Sequence, residues 1–194
     1  MPTTHLLYLH GFRSSPQSAK ATRMAALVQQ AHPDVVWWCP QLPPSPRQAL
    51  ALLHQGVASW PRETMAVMGS SLGGFYATAV AERYGCKAVL LNPAVDPAHD
   101  LAAYIGEQHA WQNPEERFFF EPRFIDELRE LQAGPLKVPA NYLALIAKGD
   151  EVLDWREMAA RYAGARQCLL EGGDHALSDF EDHLPLILDF LALL

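Results

Sequence analysis

The stretch Gly69-Ser70-Ser71-Leu72-Gly73 sets a hydroxyl in a frame of glycines, between the apolar run TMAVM and the helix-like run LGGFYATAVAERYG. That pattern predicts a strand, a sharp turn and a helix. A nucleophile on such a turn adopts strained backbone angles, so the residues two before and two after it must be tiny. Gly69 and Gly73 meet that demand around Ser71, whereas Ser70 is framed by Met68 and Leu72. The turn also sets Ser71 at a helix N-terminus, where free amides favour developing negative charge. Ser71 is the candidate nucleophile for acyl transfer.

A serine hydroxyl needs an adjacent base, and that base needs a third group to orient it. The run AKGDEVLDW puts Asp150 just beyond an apolar strand-like segment, with Gly149 easing the turn. EGGDHAL puts His175 in a glycine-rich loop before the last helical pattern. The chain order serine, aspartate, histidine is that of the α/β-hydrolases. All three fall at the carboxyl ends of parallel strands, where open sheets present their sites. Asp154 is a rival acid, although its place before Trp155 suits a helix cap. Asp174 adjoins His175 too closely in sequence to reach its far nitrogen. His32, His54, His99, His109 and His183 have no comparable setting and read as surface or packing residues, and His5 as a structural residue of the first strand.

LHGF (9–12) follows the first strand directly. Acyl transfer builds charge on the substrate oxygen, and two preorganised amide donors must hold it. One is expected from Leu72, after the nucleophile, and the other from Phe12. His10 and Gly11 then keep this loop in shape, with His10 not acting as the base.

The elements that must position these residues alternate along the chain. Apolar runs at 5–10, 35–39, 64–69, 87–92, 141–147 and 166–171 predict strands buried on both faces. Between them, Ala21, Met24, Ala25 and Val28 recur at helical spacing after a candidate cap, Ser18. Leu50, Leu53, Val57 and Trp60 do the same, and Leu184, Ile187, Leu191 and Leu194 share a face of a closing helix. Such alternation predicts an α/β doubly wound fold. The proline-rich CPQLPPSPR (39–47) reads as an extended loop ending at a helix start near Pro46. Residues 93–138 exceed a simple crossover. They predict either a lid-like, substrate-binding insertion within one domain spanning 1–194 or a helix pair covering the sheet edge.

With 194 residues, 49% of them apolar and 19% charged, the chain suits one folded domain. The formal charge of -7 and the absence of a basic stripe argue against a nucleic-acid partner. Cys39, Cys86 and Cys168 lack metal or disulfide spacing and read as buried reduced thiols. No signal-peptide pattern opens the chain, and the apolar C-terminus, broken by Pro185 and Asp189, is short of the roughly 20 residues a bilayer span needs. A cytoplasmic location and no membrane span are the expectations.

Together with YLHGF.SSP.SAKA (8–21), PQLPP (40–44), GSSLGG (69–74), NPAV.P (92–97), GDEVLD (149–154), EGG.HA (171–176) and FED (180–182), the chain resembles the small bacterial YqiA-type esterases of the α/β-hydrolase superfamily. The resemblance implies a three-layer α/β/α fold around a minimal six-stranded parallel sheet of order 2-1-3-4-5-6. It implies a carboxylesterase with Ser71 as nucleophile, Asp150 as acid and His175 as base, without metal or organic cofactor. A small-molecule ester is the expected substrate. A thioesterase, acting on acyl-CoA or another thioester, and a non-catalytic binding protein on the same fold are the rival readings. Arg13 departs from the family pattern, which expects a smaller polar residue there. It predicts either an anion contact in the cleft or a surface salt bridge. The Phe118, Phe119, Phe120 run predicts either an acyl-pocket lining or core packing.

Overall fold

The computed structural model describes residues 1–194. Its strands are β1 (His5–Leu9), β2 (Val36–Trp38), β3 (Met65–Ser70), β4 (Lys87–Leu91), β5 (Gly106–His109), β6 (Arg117–Phe120), β7 (Tyr142–Ala147) and β8 (Arg166–Leu170). Six of them arise from the six apolar runs and pair in parallel, in the order β2-β1-β3-β4-β7-β8. Once the β5–β6 hairpin is set aside, this is the expected 2-1-3-4-5-6 order.

Side chains alternate across a strand, so each apolar run feeds two cores. Leu7, Leu9, Val67 and Leu90 face one layer, and Leu6, Tyr8, Met68 and Leu91 the other. The first layer holds α2 (Pro46–Gly56), α3 (Leu72–Tyr84), α5 (Pro122–Glu130) and α6 (Trp155–Arg161), whose Leu53, Ala77, Leu128 and Met158 are buried there. The short α4 (Pro97–Asp100) joins them through Ala98. The second layer holds α1 (Ala19–Ala31) and α7 (Leu184–Leu191), through Met24 and Ile187. The α/β-hydrolase fold is the result.

Local details follow the sequence with a few departures. Ser45 caps α2, its hydroxyl accepting from the Gln48 amide, and Pro46 opens the helix. Ser18 occupies the cap position of α1, but its hydroxyl makes no capping bond. The closing helix ends at Leu191, where Ala192 turns left-handed, so Leu194 is 82% exposed and Leu193 is buried instead. Trp60 lies beyond the end of α2 and packs edge-on against Trp38. Of the three unpaired cysteines only Cys86 is fully buried. Burial pushes the Cys39 and Cys86 thiols up to about 12.

Residues 93–138 hold more than the helix pair that was one of the two expectations. They comprise α4, the antiparallel hairpin β5–β6 and α5. The segment is anchored by Glu127 of α5, whose carboxylate accepts from the Ser45 hydroxyl at 2.7 Å and the Arg47 amide at 3.0 Å. A carboxylate is favoured there because it meets the free amides of the α2 N-terminus. No helix in the chain is long and apolar enough to cross a membrane.

Candidate active site

Ser71 sits between β3 and α3 with φ 55° and ψ -121°, a region that costs a non-glycine residue of order 1–3 kcal/mol. Neighbouring backbone over-determines it. The Ser71 amide donates to the Leu91 carbonyl at 3.0 Å, and its own carbonyl accepts from Gly74 at 2.8 Å and Ala94 at 3.0 Å. The flanking glycines are required by contact. A Cβ on Gly69 would lie 2.2 Å from the Gly73 carbonyl oxygen, and one on Gly73 would lie 2.0 Å from that of Leu9. Behind them Ala77 and Ala81 are buried, so the small-residue face of α3 lies against the sheet.

His175 and Asp150 converge on this turn. His175 Nε2 lies 3.1 Å from the Ser71 hydroxyl, and Nδ1 lies 2.8 Å from Asp150 Oδ2. An ionised carboxylate only accepts, so Nδ1 carries the proton and Nε2 presents its lone pair to Ser71. The other Asp150 oxygen accepts from the Val152 and Leu153 amides, both at 2.8 Å, and the carboxylate is wholly buried. Asp154 caps α6 by accepting from Arg156, and Asp174 binds the amide and hydroxyl of Ser178. Of the three aspartates, Asp150 is the one on the imidazole. The two loops touch so closely that a Cβ on Gly149 would lie 2.3 Å from the Gly173 carbonyl oxygen.

Phe12 and Leu72 both line the cavity that Ser71 and His175 open into. The Leu72 amide opens α3 and has no intrahelical acceptor. His10 is buried and bridges two loops, with Nδ1 2.9 Å from the Gly11 carbonyl and Nε2 accepting the Leu42 amide at 3.1 Å. The Leu42 amide can only donate, which makes Nε2 the acceptor and Nδ1 the donor. Burial lowers its proton affinity below the ordinary range, consistent with a neutral ring. Gly11 passes so close to Ser71 that a Cβ would sit 3.3 Å from the serine's own.

Arg13 makes no salt bridge. It has φ 60°, donates from Nε to the His109 carbonyl at 2.8 Å, and lies over the Trp111 ring at 4.0 Å from its centroid. The Trp111 amide returns a bond to the Arg13 carbonyl at 2.7 Å. The hairpin tip is thus tied to the loop that carries Phe12. The aromatic run divides its work: Phe120 is buried against Phe12 at 5.2 Å between centroids, Phe118 meets Phe12 edge-on, and Phe119 faces solvent.

Asn92 carries no function on sequence grounds, yet it joins the acid and base loops. It is buried, adopts φ 41°, and its amide nitrogen donates to the carbonyls of Asp174 and His175 at 3.0 and 3.2 Å. Its oxygen accepts from Ala147, at the end of β7, at 2.8 Å. An asparagine directly after a strand, inside NPAV.P, was the available signal.

Two cavities meet at Ser71, His175, Phe12 and Trp111. One, of about 570 Å³, is mainly apolar, with Leu72, Leu101, Tyr104, Val152 and Leu153 in its walls. Asp100 also lines it, pushed up to about 6 by burial and by the like charges of Asp96 and Glu157. The other, of about 540 Å³, has more polar side chains in its walls, Ser14, Ser18, Lys20 and Ser178 among them, beside Leu177 and Phe180. No three His, Cys, Asp or Glu side chains converge to hold a metal ion.

Residues 5–192 match the model of the uncharacterised protein family UPF0227. The chain belongs to this family. Its fold is shared with alpha/beta hydrolase domain-containing protein 10 from mouse, at TM-score 0.73 and 16% identity over 98% of this chain and 92% of that one. The esterase domain of a Rhodothermus marinus protein superimposes with TM-score 0.67 and 19% identity, over 99% and 86% of the two chains. Est1E from Butyrivibrio proteoclasticus, in a structure with ferulic acid bound, gives 0.68 and 13%, over 98% and 90%. At these identities the likeness is one of fold. This UPF0227 member is thereby an α/β-hydrolase in architecture.

Proposed function

We propose that the chain is a serine carboxylesterase, one α/β-hydrolase domain in which 93–138 is a lid-like insertion walling the acyl side of the cleft. The observation that carries the reading is the continuous line of hydrogen bonds from the Ser71 hydroxyl through His175 to Asp150, at 3.1 and 2.8 Å, on a strained strand-to-helix turn. A serine and a histidine open to the cleft, lined up on a buried carboxylate, have no comparable use in packing.

In this reading, His175 Nε2 takes the proton as Ser71 Oγ attacks the ester carbonyl. Asp150, held by two amides, stabilises the imidazolium and keeps its orientation. The Phe12 and Leu72 amides receive the oxyanion as preorganised donors. Collapse of the intermediate breaks the ester C–O bond, and His175 returns the proton to the leaving alcohol. Water, deprotonated by the same imidazole, then attacks the acyl-serine and releases the carboxylic acid. His10 and Gly11 support the loop carrying Phe12, as Gly69 and Gly73 support the turn carrying Ser71. The esterase name of the Rhodothermus marinus domain favours the same reading, as analogy of fold.

Thioester hydrolysis uses the same atoms with a sulfur leaving group. Comparing butyrate oxygen esters and thioesters on wild type and Ser71→Ala separates the two substrates. Loss of both activities in the variant is expected. Full activity in Ser71→Ala contradicts the proposal.

A further inference from the structure

The arm of the cleft lined by Ser18 and Lys20 has a wall that ester hydrolysis itself does not require. Helix α1 begins in it at Ala19, and Ser18 leaves its hydroxyl out of any capping bond. No acidic residue stands in the first turn. The amides of Ala19, Lys20 and Ala21 therefore have no intrahelical acceptor, at the positive end of a helix of 13 residues. Lys20 gives one ammonium hydrogen to the Ala176 carbonyl and retains two more.

Tyr8 supplies an independent sign. Its side chain is wholly buried and lines the same arm, yet its hydroxyl has no hydrogen-bond partner. A buried hydroxyl left in that state lacks an acceptor, which a ligand reaching it would supply. Burial drives the phenol well above its ordinary range, so it acts only as a neutral hydroxyl. The nearby carboxylates are engaged, Glu181 by Arg23 and Asp174 by Ser178. Amides, an ammonium and unpaired hydroxyls thus line one cavity of a chain whose net charge is -7.

We propose that this arm is an anion subsite, taking a carboxylate or phosphate on the alcohol portion of an ester whose acyl chain occupies the apolar arm. The alcohol side follows from the wall formed by His175, Ala176 and Ser178, next to the nitrogen that protonates the leaving group. Burial lowers the Lys20 ammonium from its ordinary range, and a bound anion would hold its proton in place. The inference rests on the esterase reading.

The test compares propyl butyrate with 3-carboxypropyl butyrate and 2-phosphonooxyethyl butyrate. All three release the same acid from a primary alcohol. The expected result is a kcat/KM for at least one charged ester about tenfold or more above propyl butyrate, the scale of one charge-assisted hydrogen bond. The better of the two identifies the anion. That ratio should fall towards one in Lys20→Met and decrease in Tyr8→Phe, which removes no existing hydrogen bond and so should fold. A merely structural effect would lower all three activities and leave the ratio alone. A ratio of one or less in wild type overturns the subsite while fluorophosphonate labelling of Ser71 leaves the esterase reading standing. If Ser71 takes no label, that reading fails on its own, and calorimetric titration with inorganic phosphate judges the subsite. Binding to wild type that is lost in Lys20→Met supports it, and no binding to wild type overturns it.

Discussion

The Asn92 side-chain amide donates to the His175 main-chain carbonyl at 3.2 Å while its oxygen holds the Ala147 amide at 2.8 Å. One side chain therefore ties the loop of the imidazole to the strand end that leads to Asp150. Asn92→Asp keeps the shape but turns two donor contacts into oxygen facing oxygen. Each buried polar group left unpaired costs about 1–3 kcal/mol. We expect the variant to lose about 2–4 kcal/mol by urea unfolding and more than about tenfold in kcat, because the imidazole loses its anchor. Unchanged kcat in a folded Asn92→Asp protein would remove Asn92 from the positioning role.

Gly73 is a requirement of close approach. Its added Cβ would meet the Leu9 carbonyl at 2.0 Å, where α3 starts over β1. Gly73→Ala must move backbone on one side, so a loss of about 3 kcal/mol or more is expected in denaturant titration. Gly134, where an added Cβ meets nothing within 4 Å, is the control. Its alanine variant should stay within about 0.5 kcal/mol of wild type.

His10 should make stability fall in mild acid. Its folded proton affinity lies below the unfolded value of 6.5, so its contribution is present above about pH 6.5 and is lost as pH falls through the lower folded value. Protonation would also set an N–H against the Leu42 amide. The Tm advantage of wild type over His10→Gln should shrink between pH 7.5 and pH 5. A constant difference would mean that His10 does not titrate in this range.

Asp100 works in the opposite sense. Its folded value of about 6 lies above the ordinary carboxyl value of 3.8, so its favourable contribution is full below about pH 4 and lost as pH rises through 6. Asp100→Asn should therefore raise Tm at pH 7.5 and have little effect at pH 4. Because Asp100 lines the apolar arm, the same variant should lower KM for butyrate esters at pH 7.5. An equal Tm effect at both pH values would contradict this assignment.

The legible part of the sequence was what local patterning determines. Six near-continuous apolar runs became the six parallel strands, because strands covered on both faces leave no room for polar alternation. Gly69 and Gly73 were legible because steric exclusion leaves one residue type. Asp154 read correctly as a helix cap from its position alone. The β5–β6 hairpin was not legible, since Gly-Glu-Gln-His carries neither β-branched nor apolar residues and is held by its partner strand. Arg13 stacks on Trp111 across 98 positions of sequence, and no local pattern records such a meeting. Asn92 and Tyr8 escaped for a related reason. Their importance lies in hydrogen bonds made or left unmade in three dimensions, whereas residue type and spacing describe only one.

The most direct measurement is mass spectrometry of the protein after exposure to a fluorophosphonate probe, beside His175→Ala. An activated serine reacts, and an ordinary hydroxyl does not. One adduct per chain is expected, on Ser71, absent from the folded His175→Ala variant. No adduct on folded wild-type protein, or an adduct on Ser71 that persists without His175, would contradict it.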